Sequence, residues 1–193
     1  MADGRKKLTS PHGDVRTLLS FRKAVIIYDL TFHFAHTSLD RGDRTVDQMI
    51  QAARSGKQNI AEGSAAGVTS METAIKLTNV AKASFLELLL DYEDFLRVRS
   101  FRQWEKDSEE VRFLRKKSTD PAVPDQWFVE LAKTRPAETV ANMAIVFLHQ
   151  EDYLLQVQLD ALERKFLACG GFREQLLAAR LKKRGEAEKK EEN

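Results

Sequence analysis

Apolar positions along this chain recur every three or four residues in four long runs, the spacing that puts side chains on one face of an α-helix. The first run spans about 15–39, where Leu18, Phe21, Val25, Tyr28 and Phe32 form a stripe with Ile27 and Phe34 beside it. The second follows the turn Arg41-Gly-Asp-Arg44, in which Gly42 supplies flexibility and Asp43 an N-cap. Its apolar residues are Val46, Met49, Ile50, Ala53 and Ile60, and Gly63 stands where a C-cap glycine belongs. Ala52, Ala53, Ser55 and Gly56 are small, so another helix axis can approach closely, at some cost in helix propensity at Gly56.

The third run starts at a capping box, Thr69 with Glu72 three residues on, and no Gly or Pro interrupts it from Met71 to Leu96. One face carries Ala74, Leu77, Ala81, Phe85, Leu88, Tyr92 and Phe95. A second stripe carries Val80, Ala83, Leu86 and Leu90. A helix apolar on two sides is buried on two sides, and in a chain this short the second surface is expected to be a subunit interface. The fourth run, about 136–168, keeps helical spacing through Val140, Ala144, Phe147, Leu155, Leu162 and Phe166 and stops at Gly170-Gly171.

Between the third and fourth runs lies an insert, 99–136, broken by Pro121, Pro124 and Pro136. Phe101, Trp104 and Phe113 alternate there with many Arg and Lys residues, and Trp127, Phe128 and Leu131 predict a short docked helix. The organisation expected is a mobile basic arm at 1–14, a four-helix unit at 15–168 containing the insert, a helical suffix at 169–184 and a disordered mixed-charge tail at 185–193.

Composition sharpens this picture only in part. The chain of 193 residues is 42% apolar and 31% charged with few Gly and Pro, which favours an all-α fold. With 31 basic and 29 acidic residues the net charge is only +2, so the whole-chain balance gives no strong vote for nucleic acid and the distribution of charge matters more. The single cysteine, Cys169, excludes an internal disulfide and suits a reducing cytoplasm. No apolar run approaches the length of a membrane span, and no signal peptide is read at the start.

Candidate chemistry is sparse. Asp29, His33, His36 and Asp40 share a polar strip of metal-binding residue types, but no second helix offers complementary ligands, and a solvated face is the expectation. Glu87, Asp91 and Asp94 lie at i, i+4 and i+7 and are expected to pair with a basic helix or subunit rather than perform acid–base work. His149 sits among polar residues, as a surface histidine does. The loop 63–70 lacks the lysine of a phosphate loop and sits between helices, so no nucleotide site is expected there. Lys57 lies near the apolar face of its helix, with Arg54 flanking it. Either an ion pair to a neighbouring helix or a basic rim between subunits fits that position.

Gln48-Met-Ile-Gln-Ala-Ala-Arg-Ser-Gly-Lys-Gln-Asn-Ile-Ala-Glu-Gly63 and Ala81-Lys-Ala-Ser-Phe-Leu-Glu-Leu-Leu-Leu-Asp91 resemble a bacterial four-helix-bundle family. That family includes proteins encoded in intervening sequences of large-subunit ribosomal RNA genes and the accessory variability proteins of diversity-generating retroelements. Asn59-Ile-Ala-Glu-Gly63 is the most specific element, and Phe166-Leu-Ala-Cys-Gly-Gly-Phe172 resembles a longer subgroup with a C-terminal helical suffix. The resemblance implies an antiparallel four-helix bundle in a ring-like homo-oligomer, a pentamer, that binds RNA or DNA, with a reverse transcriptase as a further partner in one branch.

Residues and resemblance together give the expectation of a non-enzymatic cytoplasmic scaffold without cofactor, metal or membrane. It would neutralise phosphates with little base reading. The residues expected to do so are Arg41, Arg44, Arg54, Lys57, Lys76 and Lys82, with Arg112, Arg115 and Lys116 as a second set. The alternative is a protein–protein adaptor with no nucleic-acid role, which the near-neutral charge favours. A metal-dependent enzyme using Asp29, His33 and His36, or Glu87, Asp91 and Asp94, is the third and weakest reading.

Overall fold

The computed structural model describes residues 14–181 apart from positions 41, 68, 172, 173, 175 and 179. Arg41, nearly all of the N-terminal arm and the C-terminal tail therefore lie outside the described residues. All regular structure among the described residues is helical. A short 3-10 turn, Val15–Thr17, leads into α1 (Leu19–Ser38), α2 (Arg44–Ala66) and α3 (Met71–Val98). The insert forms α4 (Glu109–Thr119) and α5 (Gln126–Lys133), and α6 spans Ala137–Cys169. The four long helices surround one core: α1 packs on α2 and α6, and α3 packs on α2 and α6.

The helix starts follow local chemistry. The Asp43 carboxylate accepts the N–H of Thr45 at 2.9 Å and opens α2, and Gly42 in the turn has φ +91°. At α3 the cap is Ser70, one residue later than the Thr69–Glu72 box implies. Its hydroxyl accepts the N–H of Thr73, while the Thr69 hydroxyl donates back to the Ala66 carbonyl. Gly63 does not end α2 either. The helix runs on to Ala66, and a Cβ on Gly63 would sit 3.3 Å from that of Leu77. The glycine serves close helix approach rather than a left-handed cap. Gly170, at φ +68°, does end α6.

The α2–α3 contact rests on the small residues. A Cβ on Gly56 would lie 2.5 Å from the Phe85 ring, and the hydroxyls of Ser55 and Ser84 meet at 3.0 Å. Phe85, Leu88, Tyr92 and Phe95 of α3 are buried, as the first stripe predicts.

On α1 the buried face is centred elsewhere than on Leu18, Phe21, Val25, Tyr28 and Phe32. Ala24, Ile27, Leu30 and Phe34 are fully buried, with Ser20, Lys23 and Thr31 among them, whereas Phe32 is 48% exposed. The three polar residues make the true core face look mixed, and each finds a partner. Ser20 donates to Gln158, Lys23 to the Ser118 carbonyl and Thr31 to the Ile27 carbonyl, and Thr31 also accepts the buried Tyr92 hydroxyl at 3.0 Å.

The insert explains why α6 is buried on every side from Val140 to Leu148. Besides α1 and α3, both α4 and α5 pack against it. Phe128 of α5 meets Phe147 edge-on, with centroids 4.9 Å apart. Asn142 holds the segment before α4, accepting from the Trp104 N–H and donating to the Arg102 carbonyl. Arg22 of α1 forks onto Asp125 with two bonds of 2.8 Å.

Candidate functional site

The basic residues expected to meet phosphate fall into three situations. Arg44 and Arg54 lie on the outer face of α2 with Gln48, Gln51 and Gln58, all exposed, and Lys76 is exposed on α3. Arg112 and Lys116 are exposed on α4. None of these five cations forms an ion pair among the described residues. The other three described cations are engaged within the chain. Lys82 bonds Asp152 at 3.0 Å and Gln156 at 2.8 Å on α6. Lys57 sits 3.7 Å from the centroid of the Tyr28 ring, and its charge opposes the upward push that burial gives the neighbouring Asp29 carboxyl. Arg115 donates to the Lys106 carbonyl. The α4 cations sit over α6, across the core from α2, so the two sets are not brought together.

The second stripe of α3 is uncovered in the single chain. Val80 is 40% exposed, Leu86 56% and Leu90 52%, and Ala83 is exposed beside them. The acidic trio borders this stripe. Asp94 pairs with Arg97 one turn on in its own helix, and among the described residues Glu87 and Asp91 have no cationic partner. Partial burial, with Glu87 and Asp94 nearby, pushes the Asp91 carboxyl above the ordinary aspartate range.

Two residues passed over in the sequence dominate the interior electrostatics. Lys23 is 5% exposed, and among the described residues its ammonium bonds only the Ser118 carbonyl, at 3.2 Å, with the Phe147 ring 5.0 Å away. Burial lowers its pKa to about 8. Glu151 is wholly buried, and neither carboxylate oxygen has a hydrogen-bond partner among the described residues. Burial pushes its pKa up to about 9, with the charge of Lys23 the opposing influence. The two are close enough to feel each other but form no ion pair. A signal for Glu151 was present. It occupies the gap between Phe147 and Leu155 in an otherwise apolar stripe.

Lys23 also lines a cavity of about 1120 Å³ between α1, α4 and α6. Its apolar wall is built from Ile26, Trp104, Ile145, Val146 and Leu154. Arg22, Lys106 and Arg115 add positive charge to its lining, and Asp120 and Asp125 add negative charge. Only the insert closes this space, because α4 supplies one wall.

Among the described residues, no three His, Cys, Asp or Glu side chains gather in a group that could hold a metal ion. The His36 ring instead stacks on Phe32 at 4.3 Å, and His36 Nδ1 lies 2.8 Å from the Phe32 carbonyl. No described helix is long and apolar enough to cross a membrane. Compared with protein-family models, with curated proteins and with solved structures, the chain matches none.

Proposed function

We propose that the chain is a non-enzymatic scaffold: an antiparallel four-helix bundle that assembles with copies of itself through the outer stripe of α3 and binds RNA or DNA through its free cations. The observation that carries this reading is the outer face of α2. Arg44 and Arg54 stand there exposed and unpaired among the described residues, interleaved with amide side chains. Cations with no internal partner neutralise phosphate without first breaking an ion pair, and the amides donate to phosphate oxygens or sugars. Val80, Leu86 and Leu90 give the assembly its apolar contact, and the pentameric count and cytoplasmic setting follow the family resemblance.

The test is fluorescence anisotropy of a labelled structured RNA across a salt series. Binding weakens with a log–log slope of about 0.7–0.9 per phosphate neutralised. Arg54→Gln then reduces that slope by about one such step while helicity is unchanged. Absence of binding at low salt rejects the nucleic-acid reading.

A second reading, a protein–protein adaptor, is favoured by the internal engagement of Lys57, Lys82 and Arg115. It expects Arg54→Glu to change oligomer mass or stability alone.

A further inference from the structure

We propose that the cavity between α1, α4 and α6 binds an amphipathic carboxylate, its apolar body against Ile26, Trp104 and Ile145 and its head group on the Lys23 ammonium. The volume, about 1120 Å³, is just above the usual range of small-ligand sites, and its lining combines an apolar wall with many polar and charged side chains. An apolar wall alone would admit any oily molecule. Lys23 makes the choice of charge.

A lysine whose whole side chain is buried needs compensation for its charge, because burying a charge without a partner is costly. Of its three donors, one reaches the Ser118 carbonyl and none reaches a carboxylate among the described residues. Asp125 and then Glu151 act on the Lys23 charge through space, but neither bonds it among the described residues. Both Glu151 oxygens are without hydrogen bonds among the described residues, and burial raises the Glu151 pKa to about 9. A ligand carboxylate entering the cavity gives Lys23 the short charge-assisted bond that the chain itself withholds. Lys106 and Arg115, also in the lining, reinforce the preference for an anion at the rim. Asp125 does not cancel it, because its carboxylate is already forked by Arg22. The remaining acid, Asp120, accepts from the Ala122 N–H.

The experiment titrates the full chain, carrying Trp127→Phe so that Trp104 is the only indole, with decanoate and with decanol. Trp104 fluorescence and calorimetry are the readouts. Decanoate is expected to saturate at one equivalent and perturb Trp104, and decanol to bind at least about tenfold more weakly. Lys23→Met is expected to remove that preference for decanoate and leave decanol binding in place. If Lys23→Met fails to fold, the decanoate–decanol comparison in the parent chain still decides, together with Arg115→Gln, which is expected to weaken decanoate several-fold. Equal affinity for the two ligands, or no saturable binding of decanoate, overturns the proposal.

Discussion

Replacing Glu151 by Gln removes one titratable proton from the protein interior and leaves shape almost unchanged. Burial raises the Glu151 pKa from the ordinary 4.5 to about 9. The folded chain therefore holds a proton that the unfolded chain releases over that interval. Its stabilising effect is complete below pH 4.5 and is lost as pH rises toward 9. The slope is about 1.4 kcal/mol per pH unit for one proton, so the loss between about pH 5.5 and about pH 7.5 is about 2.7 kcal/mol. Lys23 adds no slope in that window. Its lowered pKa, about 8, makes a constant cost below that pH, relieved only as pH rises through 8 toward 10.5. Gln brings an amide whose donors need partners, which costs about 1–3 kcal/mol at every pH. The intercept is therefore uninformative and the slope decides. Urea unfolding of both chains at the two pH values is the assay, with the surface carboxylates cancelling in the difference. Relative to the variant, the parent should lose about 2.7 kcal/mol on going to the higher pH, equivalent to roughly 5–11 °C in Tm for a chain of this size. A difference between the chains that is the same at both pH values would mean that Glu151 is ionised and compensated in the folded state, and the burial argument would fail.

Three further perturbations test the packing and the helix ends. Gly56→Ala drives a methyl to 2.5 Å from the Phe85 ring and should cost about 1–3 kcal/mol despite better helix propensity, with Phe85→Leu restoring part of it in a double-mutant cycle. Ser70→Ala should cost about 1 kcal/mol in chemical denaturation and Thr69→Ala clearly less; the reverse order would place the α3 cap one residue earlier. Leu86→Glu with Leu90→Glu should leave far-ultraviolet circular dichroism intact and reduce the mass found by light scattering; an unchanged mass would remove α3 from the interface.

Much of the secondary structure was legible because it is written in local chemistry. Asp43, Gly170 and the prolines act within one or two turns, and most of the inner stripe of α3 is legible, since Ala74, Ala81, Phe85, Leu88, Tyr92 and Phe95 are buried; Leu77 is only half-buried, and Thr78, bonded to the Ala74 carbonyl, is buried beside it. The outer stripe of α3 was equally legible as a pattern, and the single chain leaves it exposed. The small residues of α2 were read as a place of close approach, and Phe85 fills it.

What the sequence left open depends on neighbours distant along the chain. The α1 helix is apolar on more than one side, and only the positions of α2 and α6 decide that Ala24, Ile27, Leu30 and Phe34 face inward while Phe32 faces out. Lys23 and Glu151 are strongly polar residues whose type argues for the surface. Lys23 is buried where it reaches the Ser118 carbonyl at the end of α4, and Glu151 is buried within the apolar stripe of α6 between Phe147 and Leu155. The cavity follows from the same arrangement, since its walls come from α1, the segment before α4, α4 itself and α6. The sequence by itself determined the helices and several of their ends, Asp43 and Gly170 among them, because capping and periodicity are short-range, while Gly63 and Thr69 turned out not to be ends. The inward face of α1, the two buried titratable side chains and the space beside Lys23 were decided only by tertiary packing, because burial is a property of what stands opposite a side chain and not of the side chain alone.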